Sequence, residues 1–418
     1  MNEPTGDAPI ILVLGTADTK ADEISFIKEC LEAGGAKASI MDVGVLGEAP
    51  MAVDFSKHDV ARAAGTTNQA IAALGDENLA MAKTAEGAAA LTLELHQSGR
   101  VDGLLALGGT MATDLALDVT SALPLGVPKV VVSTVAFSPL LPPERLAPDL
   151  MMVLWAGGLY GLNSLCRSSL SQACGAVVGA ARLVQRPQQQ KPIVGMTSLG
   201  KTSLSYMVHL KPELEARGYE VAVFHTTGMG GRAMETLAAR GELAAVMDFS
   251  LVEVSNHLNG SLVSAGSDRL EGAGRAGVPQ IVAPGGVTLI DMQAWAPMPE
   301  RFQGREFHAH NRLIACAIME ENEKRAAARA IAAKLGQAIG PTAFIMPLKG
   351  IDEWDKPGGP FHDPGGLAAF TNEMRNALEP PVELIELDAH INDRAFADRA
   401  LAVLDRWVEE GLVVQGER

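Results

Sequence analysis

The sequence predicts an α/β protein of two doubly wound domains, each built on a mainly parallel sheet, with a cleft between them. Three observations carry this reading. Short apolar runs alternate with helical stretches along the whole chain. The two halves open alike, "ILVLGTADTK" (11–20) and "IVGMTSLGKT" (193–202), each a strand entering a Gly/Thr/Lys turn before a helix. Between the halves, "RPQQQKP" (186–192) is polar, holds two prolines and has no periodicity, so it reads as a linker. The domains are therefore expected at 1–185 and 193–418.

The N-terminal strands are expected at 10–15, 37–44, 103–109, 128–134 and 150–155. Helices fit at Ala21–Ala33, Glu77–Gln97, Met111–Leu123 and Asn163–Gln185. In the second half the apolar runs 192–197, 219–228, 243–250, 278–286, 341–350 and 382–389 read as strands. Asn311–Gln337 and Arg394–Glu409 read as the principal helices there. The 418 residues are too many for one ordinary core. With 47% hydrophobic but only 4% aromatic residues, the core must be aliphatic.

A net charge of −16 and scattered basic residues argue against nucleic acid as a partner. They leave room for a small anionic ligand held by a few backbone N–H groups. No apolar run is long enough to cross a membrane, and the acidic start "MNEPTGDAPI" does not resemble a signal peptide. Cys30, Cys166, Cys174 and Cys316 show no paired spacing and read as free thiols in a reducing compartment.

In open α/β sheets ligands bind beyond the carboxyl ends of the strands. The Gly/Thr-rich turns all fall there. A first site would combine Gly15, Thr16, Asp18, Thr19 and Lys20 with Gly108, Gly109, Thr110 and Thr113. Gly admits close backbone approach, Thr hydroxyls and helix N–H groups bind anionic oxygen, and Asp18 or Asp114 could hold Mg²⁺. The bland alternative is ordinary strand-to-helix turns with Thr or Asp caps. A second site would combine Thr197, Ser198, Gly200 and Thr202 with Thr226, Thr227, Gly228, Gly230, Gly231 and Arg232, an anion nest with a forked cation beside it. Asp248 and Glu253 would repel an anion if unpaired, so each is expected to hold a cation, a proton or an Arg. Glu253, His308 and His310 are the candidate catalytic groups, and the two His could share one face of an extended segment and chelate a metal. Solvated or capping His residues are the alternative. Gly195, Gly200, Lys201 and Thr202 also match the phosphate-binding loop G-x-x-x-x-G-K-[ST].

Taken together, "LGTADTKADEISFIK", "LGGTMATDLA", "GMTSLGKTS", "HTTGMGGRAMETL", "DFSLVEVSNHLNG" and "REFHAHNR" resemble the Tm-1-like ATP-binding domain family, also called uncharacterised protein family UPF0261. The resemblance spans nearly the whole chain. It implies two Rossmann-like domains in a cytoplasmic, homo-oligomeric (dimeric or tetrameric) ATP-binding protein. ATP with Mg²⁺ is then expected in the first domain and a small anionic substrate at the second. Members are not phosphate-loop ATPases overall, so the Lys201 turn reads as a Gly/Thr turn that happens to include Lys. Two other readings stand beside an ATP-dependent phosphotransfer or ligase-type enzyme. One is a non-catalytic ATP-dependent binding protein. The other is a metal-dependent lyase or hydrolase using His308, His310 and Glu253.

Overall fold

A computed structural model describes residues 8–186, 191–200 and 205–417. The chain divides into two compact units, residues 1–188 and 189–418. The first contains β1 (Ile10–Gly15), α1 (Ala21–Ala33), β2 (Lys37–Asp42), α2 (Lys57–Ala63), α3 (Asn68–Ala72) and α4 (Glu77–Gln97). It continues with β3 (Gly103–Gly108), α5 (Thr110–Ala122), β4 (Lys129–Ser133), β5 (Met151–Leu154) and α6 (Ser164–Leu183). Its strands form one parallel sheet in the order β2-β1-β3-β4-β5.

Both faces of that sheet are covered, which is why its central strands are continuous aliphatic runs rather than alternating ones. Ile24, Ile27 and Leu31 of α1 and Leu170, Ala173 and Val177 of α6 pack on one face against Ile11, Val13 and Leu105. Val60 of α2, Ala85 and Ala88 of α4, and Leu115 and Val119 of α5 pack on the other against Leu12, Leu14 and Leu104. Local signals set the helix starts. Ser56 and Asp59 form a capping box before α2, Asp76 caps α4 and Asn163 caps α6.

The second unit begins with β6 (Ile193–Ser198), α7 (Ser205–Ala216), β7 (Glu220–His225), α8 (Met229–Ala239), β8 (Ala245–Asp248), α9 (Val252–Leu258) and α10 (Gly272–Ala276). It continues with β9 (Gln280–Val282), β10 (Leu289–Gln293), β11 (Phe307–Ala309), β12 (Ile314–Ile318), α11 (Glu321–Leu335), β13 (Thr342–Pro347), α12 (Pro364–Ala377), β14 (Glu383–Leu387) and α13 (Arg394–Glu409). Its main sheet has the order β7-β6-β8-β9-β13-β14, all parallel. Taking β6 as the first strand, this repeats the 2-1-3-4-5 order of the N-terminal sheet with one strand added. The two halves are thus alike in topology, and both are doubly wound Rossmann-like sheets.

One element differs from expectation. The helix expected over Asn311–Gln337 starts only at Glu321, because Glu320 and Glu323 make a capping box there. The residues before it form β12, the middle strand of a small antiparallel sheet in the order β10-β12-β11. Among the described residues no helix is long and apolar enough to cross a membrane.

Gly87 sets the distance between α4 and α2. A Cβ there would press into the Val60 carbonyl oxygen and lie 3.1 Å from the Ala64 Cβ. Alanine favours a helix over glycine by about 1 kcal/mol, but overpacking against backbone costs about 1–3 kcal/mol. Gly87→Ala is therefore expected to destabilise the N-terminal unit, read as a lower denaturant midpoint. An unchanged or higher midpoint would show that the helices separate freely.

Candidate functional site

The strand order of the N-terminal sheet reverses between β1 and β3, and the loops beyond them leave on opposite faces. At that point lies a cavity of about 440 Å³. Thr16, Asp18 and Thr19 border it after β1, Val43 to Leu46 after β2, and Met111, Ala112 and Leu115 on α5. The start of α4, with Asp76, Glu77, Ala80, Met81 and Thr84, closes the far side. This is the crevice position at which doubly wound sheets bind ligands, and the volume falls within the usual range for small-molecule sites.

Hydrogen bonds fix the walls. Asp42, at the end of β2, accepts from the backbone N–H of Ala17 and of Gly44 through one oxygen, each at 2.9 Å. Thr16 and Thr19 join their hydroxyls at 2.8 Å. Asp18 tucks against Gly44 and Gly47, a side chain added at Gly47 would collide with its carboxylate, and its Oδ1 is buried without a hydrogen-bond partner. Gly15 and Gly108 end their strands against Leu107 and Ala112. The N-terminus of α5 has Gly109 as its cap, no side-chain cap and no acidic residue in its first turn. Thr110 begins that helix.

Three members of the expected first site are employed elsewhere. Thr113 donates to the Gly109 carbonyl oxygen at 2.8 Å and pairs with the Ser133 hydroxyl at 2.7 Å, so its hydroxyl ties α5 to β4. Asp114 is ion-paired with Arg145 and is not brought beside Asp18. Lys20 lies over the Tyr160 ring at 5.1 Å and does not line the cavity. The sequence reading missed the loop after β2 and the start of α4. Gly44 and Gly47 in "DVGVLGEAP" were the signal for the loop, since glycines just past a strand mark close approach.

In the second unit the corresponding crevice is filled from within. Gly228 has φ of 98°, which glycine alone adopts freely, and turns the chain into α8. The amides of Gly228 and Gly231 donate to Glu253 Oε1 at 2.7 and 3.2 Å. Glu253 Oε2 accepts from Arg269 Nε at 2.8 Å. Arg269 also donates to Glu235, to both oxygens of Asp248 and to the Ser250 carbonyl oxygen, so all its N–H groups are used. Arg269, Asp248, Glu235 and Glu253 are each at most 3% exposed. A Cβ at Gly231 would strike Glu253 and Arg269, and one at Gly230 would strike the His225 carbonyl oxygen. Gly231 therefore makes room for this ion network, Gly230 makes room for the backbone of the turn, and the expected nest carries an internal anion. Arg232 donates through Nη1 to both oxygens of Asp268, at 2.7 and 2.8 Å, rather than standing free.

Two of the expected hydroxyls, those of Thr197 and Thr226, are likewise paired, and Ser198 and Thr227 make backbone bonds. Thr197 donates to Asp248 at 2.8 Å, Thr226 bonds Ser250 at 2.6 Å, and Ser198 accepts Thr226 N–H through its carbonyl at 2.9 Å. Thr227 donates its N–H to the His225 carbonyl oxygen at 2.9 Å. Gly200 sits near the His225 ring with φ of 47°. Lys201 and Thr202 lie outside the described residues. The cation expected for Asp248 and Glu253 is Arg269, which the sequence reading did not single out.

His308 on β11 and His310 just after it are exposed, with ring centroids 5.0 Å apart. Their ring neighbours are Trp354, at 5.0 and 4.7 Å, and Phe361, at 6.1 Å from His308. Glu253 commits its oxygens to Arg269 and the glycine amides, so the three expected catalytic groups do not act on one point. Burial, with His308 nearby, holds His310 below the usual imidazole value. Among the described residues no three His, Cys, Asp or Glu side chains are grouped to hold a metal ion.

Burial pushes the carboxyls of Glu235 and Glu253 up, against the pull of Arg269. Burial also pushes Asp291 up, to about 6, against a hydrogen bond from Asn256. Removing the shared cation leaves three carboxylates with no partner charge, so Arg269→Met should cost the second unit about 3–5 kcal/mol by chemical denaturation. A loss under about 1 kcal/mol would mean the network is not a support. Asp291 binds its proton more tightly folded than unfolded. Its contribution is complete below about pH 4 and lost as pH rises through about 6. Asp291→Asn should flatten the fall in stability across that window, and an unchanged slope would exclude Asp291 as its source.

Residues 9–186 match the Uncharacterised protein family (UPF0261) N-terminal domain, and residues 191–408 match its C-terminal domain. A UPF0261 protein of Brucella melitensis is 58% identical over 98% of both chains. One from Clostridium tetani is 33% identical over 93% of this chain and 96% of its own. The tomato (Solanum lycopersicum) ToMV resistance protein Tm-1(GCR237) is 29% identical over 96% of this chain and 56% of its own. Two domain matches that together cover nearly the whole chain, with relatives similar end to end, establish that this chain belongs to the UPF0261 family.

Proposed function

We propose that the N-terminal unit is a nucleotide-binding module that takes ATP in the cavity at the β1/β3 reversal. The single observation that carries this is the cavity's position beside the uncapped N-terminus of α5, whose free N–H groups and partial positive charge suit a phosphate. The apolar wall of Val43, Val45, Met81 and Leu115 suits a base. Resemblance to the Tm-1-like ATP-binding domain family supports the choice of ATP. The residues expected to share Mg²⁺ fit it poorly, because Asp114 is tied to Arg145 and Asp18 is left alone.

An enzymatic use of the nucleotide on a small anionic metabolite belongs to the same proposal. Within the second unit the exposed pair His308 and His310 is the candidate proton-transfer group, with Glu253 acting through the fold and not on substrate. This places the non-catalytic nucleotide-binding reading ahead of a metal-dependent lyase or hydrolase, which needs Glu253 beside the imidazoles. A cytoplasmic homo-oligomer, dimer or tetramer, completes the proposal, and light scattering tests its size.

ATP at about 100 times its dissociation constant should add roughly 2.7 kcal/mol to stability. Ala80→Phe, which fills the cavity, should weaken ATP binding more than about tenfold, whereas Lys201→Ala should leave it within about tenfold. A melting temperature unmoved by millimolar ATP would overturn the assignment. Loss of all binding in Lys201→Ala would move the site to the second unit.

A further inference from the structure

The cavity is uneven in charge. Asp18, Asp76 and Glu77 line it, and no Lys or Arg does. Among the described residues nearby, Lys20 is turned over the Tyr160 ring, and Lys57 is buried and committed to the Gly47 carbonyl oxygen and Glu48, each at 2.8 Å. Two of the three helices that begin around the cavity carry acids in their first turn: Asp22 and Glu23 on α1, and Glu77 on α4. Only α5 offers an anion an N-terminus without acidic neighbours. The cavity therefore has one end that accepts negative charge and another, formed by carboxylates, that repels it. At the repelling end Asp18 Oδ1 is shielded from water and accepts no hydrogen bond. An unpaired buried acceptor is costly, and a rotation of the Asp18 side chain that turns it toward a donor in the cavity recovers that cost.

We infer that the cavity reads the nucleoside end of its ligand. The ribose hydroxyls or base amino group donate to Asp18, Asp76 and Glu77. The first phosphate rests on the N-terminus of α5, and further phosphates extend outward without protein cations to meet them. The ligand class is thus a nucleoside or nucleoside monophosphate as much as a triphosphate. This rests on the nucleotide-binding reading above and sharpens it.

The test is calorimetric titration of the full chain with adenosine, AMP, ADP, ATP and inorganic tripolyphosphate, with and without EDTA. Adenosine and AMP should bind within about tenfold of ATP, tripolyphosphate should not compete, and EDTA should change the ATP dissociation constant less than about threefold. Asp18→Asn should weaken adenosine about tenfold while circular dichroism stays unchanged. Glu77→Gln, at the exposed rim, gives a smaller loss in the same direction if the first variant folds poorly. Affinity climbing about tenfold with each added phosphate, or tripolyphosphate displacing adenosine, would overturn the inference and leave nucleotide binding intact. If none of the five ligands binds, the nucleotide reading itself fails, and this inference with it.

Discussion

A guanidinium that has no water to turn to organises the second unit. Arg269 is fully buried, and its N–H groups are satisfied only because α8, β8 and α9 each send a carboxylate to it. One positive charge against three acids is not a neutral set. Burial pushes Glu235 and Glu253 toward the protonated form, which lowers the net negative charge held inside. Backbone N–H groups from Gly228, Gly231, Leu270 and Gly272 supply the remaining donors. The path of the chain from residue 226 to 272 follows from that arrangement. Gly231 is small where the network passes, Asp248 ends β8, Glu253 lies in the first turn of α9, and Glu235 reaches the Leu270 and Gly272 amides from within α8.

Seen beside this, the first unit solves the same topology differently. Both sheets reverse strand order after their first strand, which opens a crevice between two departing loops. In the second unit an internal carboxylate occupies the glycine turn at that place. In the first, the turn after β1 is braced by Asp42 and by paired threonines, and space is left between α4 and α5. One scaffold therefore carries a closed crevice and an open one, and the open one is where a small molecule has somewhere to go.

Much of the scaffold was legible in the sequence, because fully buried parallel strands must be short aliphatic runs, and those runs set off the helical stretches between them. Ala21–Ala33, Glu77–Gln97 and Arg394–Glu409 begin and end where the pattern places them. The antiparallel sheet was not legible. "LIACAIMEENEKRAAARAIAAK" is rich in Ala across its whole length, so the period of the strand dissolves into that of the helix. The site was less legible than the fold. Gly/Thr turns mark crevices, but whether a turn faces a ligand or an internal partner depends on residues far away in sequence. Glu235, Asp248, Glu253 and Arg269 have no common spacing that would announce a shared contact. Nor does the sequence near Asp114 reveal Arg145, or that near Arg232 reveal Asp268.

The double acceptance by Asp42 has a mechanical consequence. One carboxylate oxygen holds the turn after β1 at Ala17 and the loop after β2 at Gly44, and a backbone bond from Val43 to Gly15 runs beside it. Two of the cavity's walls are thereby riveted into a single plate continuous with the sheet. The opposite wall, the first turns of α4, is held by helix packing alone, through side chains that slide more easily than hydrogen bonds stretch. Any breathing of the chamber is a hinge on that side. Asp76 and Glu77 stand at that rim, so the width of the opening follows α4 and not the sheet.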